Sequence, residues 1–403
     1  MPSAAASQER SRSRSRTVTH MNATLPPSSV ANPRWGLPPW TIDFHSEQQA
    51  LPEEVEFAVV GGGFTGLAAA AWLRYSDPNK SVALFECSRI GAGSSGHTGG
   101  MALSETAAGP LPGLGDVLAG FSGILRELQV RCDLTLPGAL EIGRQGVMPN
   151  SPIAWNDSGT LGVMREVPGG TIDPGKMLSG LAQAASNSGA LIFENAPVES
   201  LRFEESPVLT IHGEPVRARS VLLATNAESL ELSALAGRAQ PKLTMAVATE
   251  PLSPEQLSSL GLAQRKPFYT VDLPYLWGRV FHENRVIFGC GLVHVEDWRE
   301  LLALNVAEGR AAELLADLER RVRDLHPVLH DVQLRHRWGG PILIAENWEP
   351  VFRQHAEYRN VIVLGAYSGH GVALSVYLGA WAAEAVLGKR DLPQWEGEAN
   401  AAD

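Results

Sequence analysis

Residues 55–66 read Val-Glu-Phe-Ala-Val-Val-Gly-Gly-Gly-Phe-Thr-Gly, and this stretch decides the fold of the chain. An apolar run stops at Gly61, and Gly63 and Gly66 complete the spacing G-x-G-x-x-G before an alanine-rich helical pattern. The first glycine of such a stretch permits a tight turn, the second lets the backbone approach a pyrophosphate, and the third allows the helix to pack closely on the strand. The stretch therefore predicts a Rossmann-like dinucleotide-binding unit.

A carboxylate stands where this type of unit needs one. A second apolar run, residues 81–85, ends at Glu86, which follows Gly66 by about 20 residues, the spacing of a ribose-binding acid. The helix after the glycines would point its free amides at the phosphates. Strand, glycines, helix, second strand and acid together favour a nucleotide site over a glycine turn without a ligand.

The composition is that of a globular protein. The 403 residues are 44% hydrophobic and 19% charged, which suffices for a large core and more than one domain-sized unit. The formal net charge of −11 would repel nucleic acid and anionic membrane surfaces. We therefore expect no nucleic-acid partner.

Cysteines and apolar runs restrict the protein class further. The three cysteines have no C-x-x-C spacing, so we expect neither a disulfide framework nor a metal site, and a reducing cytoplasm fits best. The most apolar stretch, residues 371–388, is interrupted by Ser375, Gly379 and Glu384. It predicts a buried helix rather than an integral membrane span.

The N-terminal segment differs in kind from the rest. Residues 1–35 contain an alanine- and serine-rich start, an Arg-Ser alternation and several prolines, and we expect a disordered tail. The segment has no apolar core of a secretory signal. An organelle transit peptide and an RNA-binding Arg-Ser tract remain as alternatives to a plain disordered tail or a translation start at Met21 instead of Met1.

Strand, turn and helix patterns recur along the chain. Residues 170–194 predict a turn, a helix and a strand, and the strand at 220–224 runs into the polar turn Ala224-Thr-Asn-Ala227. Later, residues 360–364 predict a strand that is followed by a glycine turn and a helix at 372–387. This late repetition of the first pattern predicts that the C-terminus packs on the N-terminal sheet, so that the nucleotide domain is discontinuous.

The intervening residues have another pattern. Residues 241–334 favour strands with polar alternation and one amphipathic helix, which has leucines at helical spacing and ends at His326-Pro327. We predict an α/β protein in which a discontinuous Rossmann-like domain, residues 51–105, 165–240 and 335–390, carries the nucleotide. A mixed-sheet α+β substrate domain is predicted over residues 106–164 and 241–334.

Five motifs in order carry a resemblance to a known family. They are Gly61-Gly-Gly-Phe-Thr-Gly66 with Glu86, Gly93-Ser-Ser-Gly-His-Thr-Gly-Gly100, Ala224-Thr-Asn-Ala227, Trp338-Gly-Gly340 and Tyr367-Ser-Gly-His-Gly371. The chain resembles the FAD-dependent D-amino-acid oxidase and glycine oxidase superfamily, and within it the gamma-glutamylputrescine oxidoreductase-like branch. The resemblance implies FAD as the cofactor and oxidation of the C–N bond of an amine or amino acid to an imine by hydride transfer to flavin N5. The electron acceptor, oxygen, a quinone or another protein, stays open.

The resemblance also implies which residues bind FAD. They are Gly61, Gly63, Phe64, Thr65, Gly66, Glu86, Cys87, Gly93, Ser94, Ser95, His97, Thr98, Gly99, Val198, Thr225, Asn226, Gly340, Ser368, Gly369, His370 and Gly371. His97 and Thr98 stand where the family usually has Arg-Asn, and some relatives attach flavin covalently through a histidine near this place. We weigh that bond against a hydrogen bond from His97 to a phosphate, a ribityl oxygen or the backbone, and favour the hydrogen bond.

Five residues are candidates for the substrate side: Tyr275, Trp277, Arg279, Arg337 and His370. The first three alternate, so on a strand they face one side, where aromatic rings suit an amine and an arginine suits a carboxylate. Arg337 is a second candidate carboxylate clamp, and His370 a candidate base. The alternatives are a core tryptophan, surface or fold-pairing arginines, and a structural or flavin-contacting histidine. The helix after Gly371 would point its positive end at the charge near flavin N1.

Other functions share parts of this pattern. A flavin hydroxylase shares the first motif, but members of that class have a late Gly-Asp motif that is absent here. A nicotinamide dehydrogenase has no need of the second glycine segment or the C-terminal return. A non-catalytic FAD-binding subunit is the alternative from outside the enzymes.

Overall fold

The computed structural model describes residues 33–202, 205–228, 230–233, 235, 237–355 and 358–395. The α-helices of these residues are α1 (Phe64–Ser76), α2 (Ser94–His97), α3 (Val117–Glu127), α4 (Pro174–Asn187), α5 (Pro254–Ser259), α6 (Trp298–Ala303), α7 (Gly309–Leu325) and α8 (Gly371–Val386). Short 3-10 helices are formed by Pro33–Trp35, His282–Asn284 and Pro327–Leu329.

The strands of the described residues belong to two large sheets and a small one. They are β1 (Glu54–Val60), β2 (Val82–Phe85), β3 (Met101–Leu103), β4 (Ala139–Gly143), β5 (Trp155–Asn156), β6 (Thr160–Val167), β7 (Gly169–Thr171), β8 (Leu191–Phe193), β9 (Val198–Arg202), β10 (Val208–Ile211), β11 (Glu214–Leu223), β12 (Ala239–Thr249), β13 (Phe268–Thr270), β14 (Trp277–Val280), β15 (Val286–His294), β16 (Leu334–Ala345), β17 (Val351–Gln354) and β18 (Val361–Gly365).

The first sheet is Rossmann-like. Its parallel centre has the order β18-β11-β1-β2-β8, with β17 antiparallel on β18 and β10 antiparallel on β11. Val60 pairs with Leu223 on one side and Phe85 on the other, so all three strands end at the same edge. The central strands are apolar and buried because helices cover a parallel sheet. The predicted C-terminal return is confirmed by β18, which pairs with β11.

The second sheet is mixed, as predicted. Its order is β16-β12-β15-β14-β13-β4-β6-β5, and the parallel pair of β13 with β4 stands among antiparallel pairs. Helix α7 packs on β12 and β15 through Leu315, Leu318 and Val322, which its helical spacing places on one buried face. Small strands β3 and β7 form a separate antiparallel pair.

Three elements depart from the predicted division into two units. Helix α3, within the predicted substrate range 106–164, packs against α8, because its buried residues such as Phe121 join the apolar cluster of α1, α4 and α8. Strand β16, within the predicted nucleotide range 335–390, pairs along its length with β12. Strand β6 also crosses the predicted boundary at 165 as one strand of the second sheet.

The N-terminal strap, residues 33–52, corrects the expected extent of the tail. Trp35 is 1% exposed, and its indole N–H donates to the Leu301 carbonyl at 2.9 Å. The Trp40 indole N–H donates to the Gly96 carbonyl at 2.8 Å. These two bonds join the strap to α6 and α2. Residues 33–35 form a 3-10 helix instead of part of a disordered tail, and the remainder of the predicted tail lies outside the described residues.

The late apolar stretch is a buried helix. Helix α8 has apolar and small residues all round and packs between α1 and α3. Among the described residues, no helix is long and apolar enough to cross a membrane.

Candidate cofactor and substrate cavity

A cavity of about 920 Å³ lies between the two large sheets, within the size range of cofactor and small-molecule sites. It begins at the end of β1, passes α2 and the turn after β11, and ends between the start of α8 and the second sheet. The predicted residues that line it are Gly61, Gly63, Phe64, Thr65, Glu86, Cys87, Gly93, Ser94, Ser95, His97, Thr98, Gly99, Val198, Thr225, Asn226, Tyr275, Trp277, Gly340, Ser368, Gly369, His370 and Gly371. The predicted Gly66, Arg279 and Arg337 do not line it.

The glycines at the end of β1 keep the backbone close. Gly61 has φ +111°, and a Cβ there would lie 2.6 Å from the Ala224 carbonyl oxygen. A Cβ on Gly66 would clash with the Gly61 carbonyl, so Gly66 supports the turn from behind the cavity. Helix α1 has no side-chain cap at Gly63, while the Phe64 amide donates to Ser95 Oγ at 3.0 Å. The start of α1 therefore lacks a cap from its own N-cap residue, as anion-binding helix ends do, and Ser95 takes up its first amide.

Glu86 is tied to the same turn. Its Oε2 accepts from the Gly62 amide at 2.7 Å and its Oε1 from the Ser88 amide at 2.9 Å. Burial raises the pKa of this carboxyl, and the two amide bonds oppose that rise. The carboxylate is thereby fixed at the end of β2, and its ribose contact stays a prediction.

A second acid, Glu228, was missed by the sequence analysis. The Cys87 thiol lies 3.3 Å from Glu86 Oε1 and 3.6 Å from Glu228 Oε2, and Glu228 lines the cavity. Burial, followed by repulsion from Glu86, raises the pKa of Glu228 to about 7. The available signal was its position directly after Ala224-Thr-Asn-Ala227.

The turn after β11 joins the two halves of the site. Asn226 accepts from the Ala366 amide at 3.0 Å through its side-chain oxygen and donates to Ser94 Oγ at 2.9 Å. Its neighbour Thr225 has a buried hydroxyl with no partner among the described residues. An unpaired buried hydroxyl on a cofactor-sized cavity fits a polar ligand group. Together with the glycine cradle, this observation shows that the chain fits a bound dinucleotide.

His97 is held by the protein itself. Its Nδ1 lies 2.8 Å from the Gly93 carbonyl oxygen, and its ring meets Trp35 edge-on at 5.5 Å. The Trp338 indole N–H donates to the His97 carbonyl at 3.0 Å. Burial lowers the pKa of the imidazole. Since a carbonyl oxygen only accepts hydrogen bonds, Nδ1 carries the proton. Of the hydrogen-bond partners expected for His97, the structure therefore shows a backbone carbonyl.

The start of α8 faces the other end of the cavity. His370 precedes the helix without a side-chain cap, and its Nδ1 lies 3.5 Å from the Ser368 carbonyl oxygen. Burial lowers the pKa of His370. Ser368 accepts from the Ala345 amide at 3.1 Å through its hydroxyl, which joins this turn to β16. The positive end of α8 is therefore open toward the cavity.

Arg279, a predicted carboxylate clamp, is buried and does not line the cavity. Trp277 and Arg279 do face one side of β14, where they meet Gly99 and Gly100 respectively, but only Trp277 lines the cavity. Arg279 is 2% exposed, and its Nη1 donates to the carbonyls of Gly100 at 3.2 Å and Ile172 at 2.6 Å. Burial lowers its pKa to about 9. The backbone segment at Gly100 lies between the guanidinium and the cavity, which the alternation alone did not reveal.

Arg337 pairs within the fold instead of with substrate. Its guanidinium contacts Glu319 on α7, and Nη1 donates to the Leu334 carbonyl at 2.8 Å. The side chain is 44% exposed. Its pairing with α7 and its absence from the cavity lining match the fold-pairing alternative and not a carboxylate clamp.

An apolar and aromatic rim surrounds the substrate end, and the sequence analysis named only part of it. Leu273, Tyr275 and Trp348 line the cavity while remaining 70%, 51% and 46% exposed. Tyr269 and Ile342 line it from the second sheet. Exposed apolar side chains gathered at a cavity mouth are typical of a binding site.

One group of potential metal-ligating side chains occurs in the described part of the chain: Asp133, Asp173 and His282. His282 Nε2 lies 2.9 Å from Asp173 Oδ2, and Lys176 Nζ lies 2.6 Å from Asp133 Oδ2. Because the lysine already supplies a cation, the group forms an ion-pair network away from the cavity.

Comparison with known proteins gives consistent matches. The DAO family model, described as FAD dependent oxidoreductase, matches residues 56–385. Gamma-glutamylputrescine oxidoreductase of Escherichia coli strain K12 is 26% identical over 381 residues, covering 83% of this chain and 84% of that protein. Glycine oxidase of Geobacillus kaustophilus strain HTA426 is 25% identical over 378 residues, covering 83% and 94%.

Solved structures share the fold. The crystal structure of glycine oxidase from Geobacillus kaustophilus has a TM-score of 0.66 at 20% identity and covers 85% of this chain and 97% of that one. L-proline dehydrogenase from P. horikoshii has a TM-score of 0.67 at 18% identity, covering 87% and 99%. These likenesses support the fold class predicted from the sequence.

Proposed function

Because the chain belongs to the DAO family of FAD-dependent oxidoreductases, we propose that it oxidises the C–N bond of an amine or amino acid to an imine. The observation that carries this proposal is the single cavity that joins the glycines of β1 to the start of α8 and to Trp277. A ligand of dinucleotide size spans such a cavity, and room remains at the aromatic end for a small molecule. FAD, when bound, supplies the acceptor of a hydride from the carbon bonded to nitrogen.

The chain would hold the cofactor with groups that follow the carboxyl ends of four parallel strands of the first sheet, β1, β2, β11 and β18. The start of α1 serves the phosphates, Glu86 the ribose, and Thr225 a polar group along the chain of the cofactor. The free amides at the start of α8 serve the negative charge that develops beside them. These groups come from segments far apart in sequence, so binding requires the folded chain.

The substrate loses a hydride from carbon and a proton from nitrogen, which leaves a neutral imine. A neutral amine is needed for the first loss, and we propose His370 as the acceptor of a proton from the substrate side. Burial keeps its imidazole neutral to lower pH than usual. The alternative role for His370 is a contact to the flavin, and a His370→Asn variant separates the two. A proton acceptor predicts a shifted pH profile of kcat, whereas a flavin contact predicts a shifted flavin spectrum with the pH profile retained.

The proposed test is anaerobic mixing of the FAD-loaded protein with amines, N-methyl amino acids and D-amino acids. Loss of the visible flavin band with at least one of them is expected. A protein that stays yellow with every compound contradicts the proposal and favours the non-catalytic FAD-binding role. Admission of oxygen or a quinone analogue to the bleached protein then identifies which acceptor restores the colour.

We propose that FAD is bound without a covalent bond to His97. The support is that Nδ1 of His97 is engaged by the Gly93 carbonyl and that the ring packs against Trp35. Acid denaturation should release all yellow colour into the supernatant. Colour that stays with the precipitate, and moves to the supernatant in His97→Asn, would establish the covalent alternative.

We propose a reducing compartment, the cytoplasm, for this protein. Cys87, Cys132 and Cys290 are all free thiols in the structure. Cell fractionation that places the chain in the cytosolic fraction is expected, and recovery from an organelle lumen would contradict the proposal.

A further inference from the structure

We propose that the substrate is an amine whose reacting carbon carries no carboxylate and bears an apolar or aromatic group. This inference rests on the proposed function and narrows the substrate class from amines and amino acids to amines.

The basic side chains that line the cavity are histidines: His97, His294 and His370. Among the described residues, no lysine or arginine lines it. Neither arginine that the sequence offered as a clamp lines the cavity. Arg279 donates through Nη1 to the Gly100 and Ile172 carbonyls, while its buried Nε and Nη2 have no partner among the described residues, and Arg337 pairs with Glu319 on α7. A carboxylate on the reacting carbon would therefore enter the cavity without a guanidinium or ammonium partner.

Two further arginines lie close to the rim but support it from outside. Arg321 Nη2 lies 2.6 Å from Asp157 Oδ2 and 2.7 Å from the Pro274 carbonyl oxygen, and its Nη1 donates to the Tyr275 carbonyl at 3.0 Å. Arg144 Nε donates to the Asp157 carbonyl at 2.8 Å, and its Nη2 lies 3.3 Å from Asp157 Oδ2. These bonds hold the rim loop that presents Leu273 and Tyr275, and they occupy both guanidinium groups.

The next cation along this wall lies beyond the lining. Lys242 stands two residues before Thr244 on the same face of β12, which places it about 7 Å farther along the strand. Its register partners are His294 and Ile342. Lys242 does not line the cavity.

The remaining lining favours apolar substituents. Its carboxylates, Glu86 and Glu228, lie beside Cys87 at the nucleotide end. The other end presents the rings of Tyr275, Trp277 and Trp348. Aromatic faces bind amines and apolar groups well, whereas burial of an unpaired carboxylate is costly. The nucleotide end of the cavity is thus acidic, whereas the aromatic end favours an amine with an apolar substituent.

The experiment compares compounds that differ only in the carboxylate on the reacting carbon. Benzylamine is matched with phenylglycine, and phenethylamine with both enantiomers of phenylalanine, using the FAD-loaded full chain and the rate of anaerobic flavin bleaching. We expect kcat/KM for the amine to exceed that of its amino-acid partner by at least about 100-fold, because the carboxylate would be buried unpaired. Equal or faster bleaching by the amino acids overturns this inference and leaves the proposed function standing. Bleaching by neither class overturns both.

A gain-of-charge variant tests the cause. Thr244→Arg places a guanidinium on the cavity wall, and Thr244→Met is the control of similar length without charge. We expect Thr244→Arg to reduce the preference for amines about tenfold or more, and Thr244→Met to retain it. If Thr244→Arg does not fold, Leu292→Arg serves as the test variant, because Leu292 pairs with Thr244 across the strands.

Gln240→Arg is the control for an added charge, since Gln240 is exposed and does not line the cavity, and its substrate preference should equal that of the wild type. A folded, yellow Thr244→Arg or Leu292→Arg with unchanged preference overturns the inference.

Discussion

Asn226 donates a hydrogen bond of 2.9 Å from its side-chain Nδ2 to Ser94 Oγ, and this bond joins two turns that are 132 residues apart. The same amide accepts from Ala366 at 3.0 Å, so three separate segments meet at one side chain. Its backbone has φ 48°, which an asparagine tolerates better than most residues. Asn226 is thus the point where the early, middle and late parts of the cofactor cavity are locked together.

Asn226→Gly should weaken FAD binding about 10- to 100-fold. Glycine keeps the backbone conformation, while the Ala366 amide and Ser94 hydroxyl lose their partner. Fluorescence titration of the apoprotein with FAD measures the change in Kd. Asn195→Gly is the matched control, since Asn195 has φ 53° and is exposed. Equal Kd values for Asn226→Gly and Asn195→Gly would refute the bridging role.

Two helical glycines should respond in opposite directions to alanine. Gly66→Ala places a Cβ against the Gly61 carbonyl and 3.2 Å from Val59 Cγ1, so it should lower the free energy of unfolding by about 1–3 kcal/mol. Gly123→Ala in α3 meets only the end of Arg126, at 3.8 Å, and should raise it by up to about 1 kcal/mol. Urea denaturation of the apoproteins gives both values. An unchanged free energy of unfolding in Gly66→Ala would show that α1 can move away from the Gly61 carbonyl without loss of stability.

The buried acid pair should make the apoprotein less stable as the pH rises. Glu228 titrates near 4.5 in its ordinary state and at about 7 in the fold, so between these values the folded state holds a proton that the unfolded state has released. Stability therefore falls with rising pH across this window and levels off above it. Glu228 faces Glu86 and Cys87, and Glu228→Gln removes its share of this fall.

Thermal unfolding of apoprotein at about pH 4.5 to 8 measures the effect of Glu228→Gln on this slope. The variant should show a flatter dependence of Tm on pH than the wild type. Glu214→Gln, at an exposed position of β11, controls for the change in net charge. Parallel curves for wild type and Glu228→Gln would mean that Glu228 does not cause the loss.

Arg337 should prove dispensable for substrate, in contrast to Trp277. Arg337→Gln removes a half-exposed ion pair with Glu319, so it should cost at most about 1 kcal/mol of stability and change kcat/KM by no more than about twofold. Trp277→Ala removes an aromatic wall of the cavity and should lower kcat/KM at least about tenfold. Steady-state kinetics with one amine decides between the two assignments. The opposite ranking would restore Arg337 as a substrate residue.

Local patterns carried most of the fold prediction. The glycines of residues 61–66, Glu86 and the late strand and helix each follow from spacing over a few residues. Gly61, Gly63, Glu86 and the start of α8 line the cavity and β18 joins the first sheet, whereas Gly66 supports the turn from behind the cavity. A strand, a turn and a helix are specified by neighbours in the chain, so sequence alone reveals them. The apolar stretch at α8 was identified as buried for the same reason.

The chain by itself therefore determined the nucleotide fold, its discontinuity and the family, whereas the tertiary structure decided which charges face the cavity. Alternation placed Trp277 and Arg279 on one face, but the backbone at Gly100, more than 170 residues away, screens the arginine from the cavity. The raised pKa of Glu228 comes from its burial and, second, from the neighbouring Glu86, and the indole of Trp35 is paired with the distant Leu301 carbonyl. Side-chain environment depends on contacts between remote segments, and such contacts leave no periodic signal in the sequence.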